Sequence, residues 1–348
     1  MYEKYTVEER CRRILEDNGG VIADKARTIL LEDPALKYLR PPLEFISKNW
    51  RNPLTPALTR LSCEAVGGRP EETDEAALSM SLISLSLYVW DDLIDKARLK
   101  LFRPTLFGKF GEGTALIVGG LASAKAFTIL SQMNIDKATH QTITELIWNF
   151  LSKMAQAETT SLRLQVQGVF SARKKFWKIK TEAIDLETCL RIGAILGNGS
   201  ESEIQHLGRY GLCLGIILEL CKDFYVSINL TSGLAERIRR GMLPYSLIWA
   251  SERSEEIRNK LSRLSNSGTI KQAHIKEIVE EALKTKMLDN TVKIITRFTK
   301  KAGEELIELK SNNATQTLKL FIESQQPLFI ESLLKLQACE SYRSPGHF

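Results

Sequence analysis

Histidine is scarce in this 348-residue chain, and the four present, His140, His206, His274 and His347, have no metal-ligand spacing. A zinc site is therefore not expected. The six cysteines, Cys11, Cys63, Cys189, Cys213, Cys221 and Cys339, form no CxxC pair and mostly sit in apolar helical contexts. That distribution fits a reduced, cytoplasmic protein. No uninterrupted apolar stretch approaches transmembrane length; Gly211 to Leu220, among the most apolar, still contains Glu219. The first eleven residues are polar and carry no signal core. Strand-like alternation is nearly absent, and there is no repeat of fixed period and no low-complexity tract. Neither sign of charge dominates, with a net charge of +6. The clearest basic clusters are Arg173-Lys174-Lys175 and Arg237 to Arg240. Neither comes with a nucleic-acid motif, so no nucleic-acid partner is expected. A local anion or a solvated helix face accounts for each.

What is present is helix. Apolar residues recur with a helical period in nearly every segment, which predicts an all-α chain. Two helices, Val7 to Asp17 and Val21 to Leu31, are expected to break at Gly19-Gly20. Pro34, Pro41 and Pro42 are expected to frame a loop. A long central helix is predicted from Asp74 to about Lys100, followed by a loop from Phe102 to Gly113. Single helices are predicted over Lys174–Leu196 and Ser202–Ser227. The expected organisation is a helical bundle over residues 1–253, C-terminal helices over 254–348 packed on the same domain, and a frayed tail at 341–348.

The central helix carries Asp91-Asp92-Leu93-Ile94-Asp95. On a helix Asp91 and Asp95 are i, i+4 and Asp92 and Asp95 are i, i+3, so all three can aim at one volume. Clustered carboxylates beside apolar residues repel one another unless a cation compensates them. A hard divalent ion completed by water and phosphate oxygens is the natural compensation; an acidic helix end facing water is the bland alternative. A second acid pair, Glu219 and Asp223, lies i, i+4 on another apolar helix, where either Lys222 or a metal can balance it. Facing helices of a bundle can build a metal site between them.

In their order along the chain, these features resemble the trans-isoprenyl diphosphate synthase family and its relatives, the class I terpene synthases. Lys37-Tyr38-Leu39-Arg40-Pro41 resembles a degraded GKRxRP motif, and Asp91 to Asp95 matches the first aspartate-rich motif. Arg103-Pro104-Thr105 is similar to RRGxPT, with Gly113 and Ala115 to Gly119 following. Gln156, Lys180-Thr181, Gly193-Ala194, Gly215 to Asp223 and Gly241 to Pro244 fall in consistent order, so the likeness covers about Leu36 to Ala250. It implies the isoprenoid synthase fold, a large bundle of antiparallel helices around a central cavity. It also implies two or three Mg²⁺ ions, an isoprenyl diphosphate substrate and a homodimer.

Carried over by position, Asp91, Asp92, Asp95, Glu219 and Asp223 would hold the metal. Arg40, Lys100, Arg103, Lys180 and Lys222 would hold the diphosphate. Ser86, Leu87, Gln156, Phe176, Trp177 and Phe224 would face the tail or the allylic cation. The absence of a bulky plug at Ser86 and Leu87 points to a long tail, such as that of geranylgeranyl diphosphate. The departures matter too. The family positions that hold the second, homoallylic diphosphate are Lys37, Tyr38, Ser84 and Leu101 here, and three of the four lack a cation. In the second aspartate motif only Asp223 keeps its carboxylate in place, with Glu219, Lys222 and Val226 substituted. The expectation is therefore a class I terpene synthase that ionises one allylic diphosphate to a cyclised or rearranged terpene. Prenyl transfer, either as chain elongation or to another acceptor, is the alternative, and a non-catalytic synthase subunit the third reading.

Overall fold

The computed structural model describes residues 5–100, 103–166, 171–228, 232–265 and 270–341. Leu101 and nearly all of the expected frayed tail lie outside them. The chain begins with α1 (Val7–Thr28), whose first turn is closed by reciprocal hydrogen bonds between Thr6 and Glu9. The expected break at Gly19-Gly20 does not occur. Both glycines are buried inside α1, and a Cβ on Gly19 would run into the Pro53 carbonyl and Ala57. The pair permits close approach of another helix; it does not end this one.

A short 3₁₀ turn (Pro34–Leu39) leads into α2 (Arg40–Asn49), then α3 (Leu54–Ala65) and the central α4 (Asp74–Ile94). Pro41 and Pro42 lie in the first turn of α2, where a missing N–H costs nothing, so they start a helix where a loop was expected. α4 stops six residues before the expected end. Lys96 adopts a left-handed φ of 49°, and the chain folds back through a two-stranded hairpin, β1 (Leu99–Lys100) and β2 (Arg103–Pro104), pairing Lys100 with Arg103. The expected loop also contains α5 (Leu106–Phe110).

The chain continues with α6 (Glu112–Ser131), α7 (Lys137–Val166), α8 (Ala172–Glu182), α9 (Ile184–Leu196) and α10 (Glu201–Ile228). The helix expected over 174–196 is split at Ala183. Just past the split, the Asp185 side chain accepts from the Leu186 N–H at 2.6 Å, a local bond that competes with continuous helix. Then come α11 (Ser232–Arg239), α12 (Tyr245–Ser251), α13 (Glu255–Ser265), α14 (Gln272–Lys284), α15 (Met287–Ile307) and α16 (Asn313–Ser341).

Two apolar clusters hold the bundle. One joins α3, α9 and α10 to the C-terminal helices through residues such as Leu58, Leu186, Tyr210, Ile295 and Phe321. The Tyr210 hydroxyl is satisfied inside it by the Leu318 carbonyl at 2.8 Å. The other joins α4 to α6 and α7 through Leu82, Leu85, Val118, Ala122 and Phe150. Trp90 lies against Gly119, where a Cβ would collide with the indole. Two helical stretches, residues 70–94 and α6, are long and apolar enough to cross a membrane by length and composition alone, a test that buried core helices also meet. The first is core, 67% buried, whereas only 33% of the α6 stretch is buried.

Candidate active site

A cavity of about 2090 Å³ opens among α4, the hairpin, α7, α8, α9, α10 and α11. That is roughly twice the upper range of ordinary ligand pockets. Its walls carry both signs of charge and a long apolar section.

The α4 helix presents Leu87, Tyr88, Asp91 and Asp95 to this cavity. Asp91 and Asp95 share a face because four residues complete about one turn, while Asp92 is rotated by about 100°. Asp92 is consequently 1% exposed and lies beneath the cavity wall. The hairpin brings Lys100 back onto this end of the helix. Its Nζ stands 3.2 Å from Asp91 Oδ2, 2.5 Å from Asp92 Oδ1 and 4.8 Å from the centre of the Tyr88 ring. Thr105 fastens the fold-back by donating to the Ala97 carbonyl at 2.6 Å. Burial pushes the Asp95 carboxyl up to about 6, with Asp91 adding to the effect and Arg237, 3.8 Å away, opposing it. Arg240 donates to the Asp95 main-chain carbonyl, so α11 is clasped to the end of α4.

The α10 helix supplies Glu219, Lys222 and Asp223. Glu219 pairs with Lys222 at 2.5 Å, and Asp223 faces Lys175 at 3.5 Å. Asp223 Oδ2 also accepts from the Tyr245 N–H at 2.6 Å, at the start of α12. Burial raises both carboxyls despite these partners. From α9, Asp185 lines the same cavity, its carboxyl pushed up to about 7 by burial and then by Glu219.

The cations facing this space are only partly those expected. Lys100, Arg103 and Lys222 line it. Lys180 does not: it is exposed, 5.3 Å from the centre of the Phe176 ring. Two residues earlier on α8, and so on nearly the opposite face, Lys178 points inward between Glu158 at 2.9 Å and Glu182 at 3.7 Å. Arg40 is also outside, paired with Glu44 at 2.9 Å and bordering a separate groove together with Lys37. Both basic clusters visible in the sequence reach the cavity instead, through Lys174 and Lys175 and through Arg237, Arg239 and Arg240.

The tail assignments divide the same way. Leu87 and Trp177 line the cavity. Ser86 is buried and turns to α6, where it accepts from Ser123 Oγ at 3.0 Å. Gln156 is exposed. Phe224 is buried 5.5 Å from Phe329, and Phe176 packs 5.6 Å from Tyr245, between centroids. The apolar section is made instead by Met80, Leu87, Phe150, Met154 and Ala157, with Tyr88 at its rim.

Among the described residues, no three His, Cys, Asp or Glu side chains form a ready-made metal cage. The donor chemistry nevertheless fits Mg²⁺, which takes one or two carboxylates and completes its shell with water and substrate phosphate oxygens. Asp91 and Asp95 offer such a pair on one helix turn. Asp92 Oδ2 is buried without a hydrogen-bond partner, and burial raises its carboxyl despite Lys100.

An all-helical bundle whose central cavity combines carboxylates, lysines and arginines and an apolar cleft has room and chemistry for an anionic head carrying an apolar tail. Residues 38–282 match the polyprenyl synthetase family, and the chain belongs to it. It is 31% identical over 222 residues to the putative geranylgeranyl pyrophosphate synthase 8, chloroplastic, of Arabidopsis thaliana, covering 60% of this chain and 62% of that relative. It is 24% identical over 277 residues to the short chain isoprenyl diphosphate synthase of Methanothermobacter thermautotrophicus, covering 78% of this chain and 84% of the other. The chain thus spans about three-fifths of the first of these relatives. The geranylgeranyl pyrophosphate synthetase of Pyrococcus horikoshii Ot3 superposes with a TM-score of 0.80 at 21% identity, covering 92% of this chain and 98% of that one. The polyprenyl synthase of Caulobacter crescentus, solved with calcium and isoprenyl diphosphate, also reaches 0.80, at 18% identity over 92% and 97% of the two chains. The fold is the all-α fold of these synthases.

Proposed function

We propose that the protein is a Mg²⁺-dependent prenyltransferase that takes the allyl group from an isoprenyl diphosphate, with geranylgeranyl diphosphate a suitable length. One observation carries this reading: Asp91 and Asp95 share a single cavity with Lys100, Lys175, Lys178 and Arg237 and with an apolar cleft. Family membership supports transfer over the terpene cyclisation expected first, because the relatives are named as prenyl diphosphate synthases.

Asp91 and Asp95 would hold Mg²⁺ from α4, and Asp223 with Glu219 would face it from α10. Bound there, the metal supplies neutralisation of charge on the departing diphosphate. The chain's own groups do the rest. Lys175, Lys178 and Arg237 bind the diphosphate oxygens through charge-assisted hydrogen bonds, and Lys100 reaches them by exchanging its aspartate partners for phosphate. Leu87, Phe150 and Met154 hold the tail and keep water from the reacting carbon. The Tyr88 and Trp177 rings offer their faces to the allylic cation. The free thiols of Cys11, Cys63, Cys189, Cys213 and Cys221 support a cytoplasmic, reducing location.

We also infer a homodimer formed through α6 and α7. Leu116, Ile117 and Phe127 on α6 and Trp148 on α7 are exposed large apolar residues, Trp148 by 69%. Together they form the kind of surface that a partner subunit covers.

Purified protein with Mg²⁺ and geranyl, farnesyl or geranylgeranyl diphosphate tests the function by diphosphate release and product analysis. Asp91→Asn with Asp95→Asn is expected to lower turnover roughly a thousandfold while helical circular dichroism is retained. Undiminished turnover in that variant sinks the metal assignment. No release from any of the three substrates favours a non-catalytic subunit.

A further inference from the structure

The cationic lining of the cavity is one-sided in the sequence. Among the described residues, every lysine and arginine that lines it comes from Lys96 onward, on the hairpin, α8, α10 and α11 or beside them. The wall built from residues before Lys96 contributes none. Three arginines on α2, α3 and the turn between them are committed elsewhere: Arg40 to Glu44, Arg51 to Glu16 at 2.6 Å and Asp24 at 2.9 Å, and Arg60 to Asp74 and Glu71.

Upstream of Asp91 and Asp95, the polar groups that α2, α3 and α4 offer to the cavity are neutral: Asn49, Thr55 and Ser84. Thr55 and Ser84 are fixed from behind. Asn52 Nδ2 donates to Thr55 Oγ1 at 3.0 Å and to Ser84 Oγ at 3.1 Å, and its Oδ1 accepts from the Leu54 N–H at 3.1 Å. Each hydroxyl thus receives one hydrogen bond, and its own hydrogen has no acceptor among the described residues. Thr55 is only 3% exposed, so its hydroxyl is a buried donor turned toward an open cavity. A buried donor of this kind is costly unless a ligand satisfies it. This wall itself supplies no cation to a second diphosphate, which makes burying that charge against it costlier still.

We propose that this wall is the acceptor site and that the acceptor is a neutral alcohol, whose oxygen receives one hydrogen bond, from Thr55 or Ser84, and keeps its second lone pair free. The inference rests on the prenyl-transfer reading above. In the reaction the allylic C1–O bond breaks and its electron pair leaves with the diphosphate. A lone pair of the acceptor hydroxyl forms the new C1–O bond, and the hydroxyl proton passes to the released diphosphate. The product is an ether.

The test offers full-length protein, with Mg²⁺ and geranylgeranyl diphosphate, two acceptors with the same five-carbon branching and different heads: 3-methylbutan-1-ol and isopentenyl diphosphate. Products are resolved by mass spectrometry. The ether is expected as the main transfer product. Thr55→Val with Ser84→Ala is expected to raise the KM for the alcohol about tenfold and leave that for geranylgeranyl diphosphate in place. An elongated diphosphate as the main product, or an alcohol KM unmoved by the double substitution, overturns the acceptor assignment while prenyl transfer stands. Hydrocarbon products without incorporated acceptor overturn both. Absence of diphosphate release under every condition overturns the proposed function and this inference with it.

Discussion

Lys178 and Lys180 show how two residues of one type, two positions apart on a helix, part company. Lys178 sits inside the cavity between two glutamates, and Lys180 lies out over Phe176. Lys178→Gln is therefore expected to raise the KM for an allylic diphosphate about tenfold, and Lys180→Gln to leave it within about twofold. Steady-state kinetics on the two variants decide the matter. Matching by motif selected Lys180 because the adjacent Thr181 completed a pair. The break at Ala183, which sets the rotation of α8, left no mark in the apolar periodicity. Asp185 was missed for a related reason, as a single acid in a helical run gives no sign of the side it faces. Its carboxyl, raised to about 7, makes a sharp prediction. A raised folded-state value favours the protonated form, so its stabilisation is present below the unfolded value and lost as pH rises through about 7. The protein is expected to lose about 1–3 kcal/mol between pH 5 and 8 through this group. Asp185→Asn should flatten that slope in thermal melts across the window, and an unchanged slope would remove Asp185 as its source.

Helices were legible in the sequence as elements, and their ends and contacts were not. The long apolar periods gave α10 nearly intact and α4 apart from its end, because a helix that buries one face must repeat every three or four residues. Glycine was misread where its role was contact. Gly19 lies within α1 because α3 begins against it, and only a long-range contact reveals this. Gly19→Ala is expected to destabilise the protein by about 1–3 kcal/mol. Gly303→Ala, inside α15 with nothing within 4 Å of the added carbon, is expected to stabilise it by about 0.5–1 kcal/mol. Chemical denaturation of the two variants should give opposite signs. The hairpin was equally hidden. Two-residue strands carry no alternation to read, yet this one returns Lys100 to the aspartates.

For the molecule as a whole, the aspartate motif and the ordered chain of weaker motifs identified the fold, and residues of both basic clusters line the cavity. The loss of cations at Tyr38, Ser84 and Leu101 was readable by position, but not that Arg51 and Arg60 are consumed by Glu16, Asp24 and Asp74 and so leave the cavity wall without them. The exposed face of α6 and α7 belongs to this scale as well. Leu116→Glu with Trp148→Glu is expected to shift the protein from dimer to monomer in light scattering at micromolar concentration. A mass unchanged from wild type would place the contact elsewhere.

Asp223 belongs to two structures at once. It faces the cavity, and through the Tyr245 N–H it fixes the start of α12, which packs onto α15 and the C-terminal helices. A ligand that draws this carboxylate toward itself must loosen the Tyr245 amide or carry it along. Occupancy of the cavity would in that case bear on the first turn of α12, and through it on the helices of the C-terminal third of the chain.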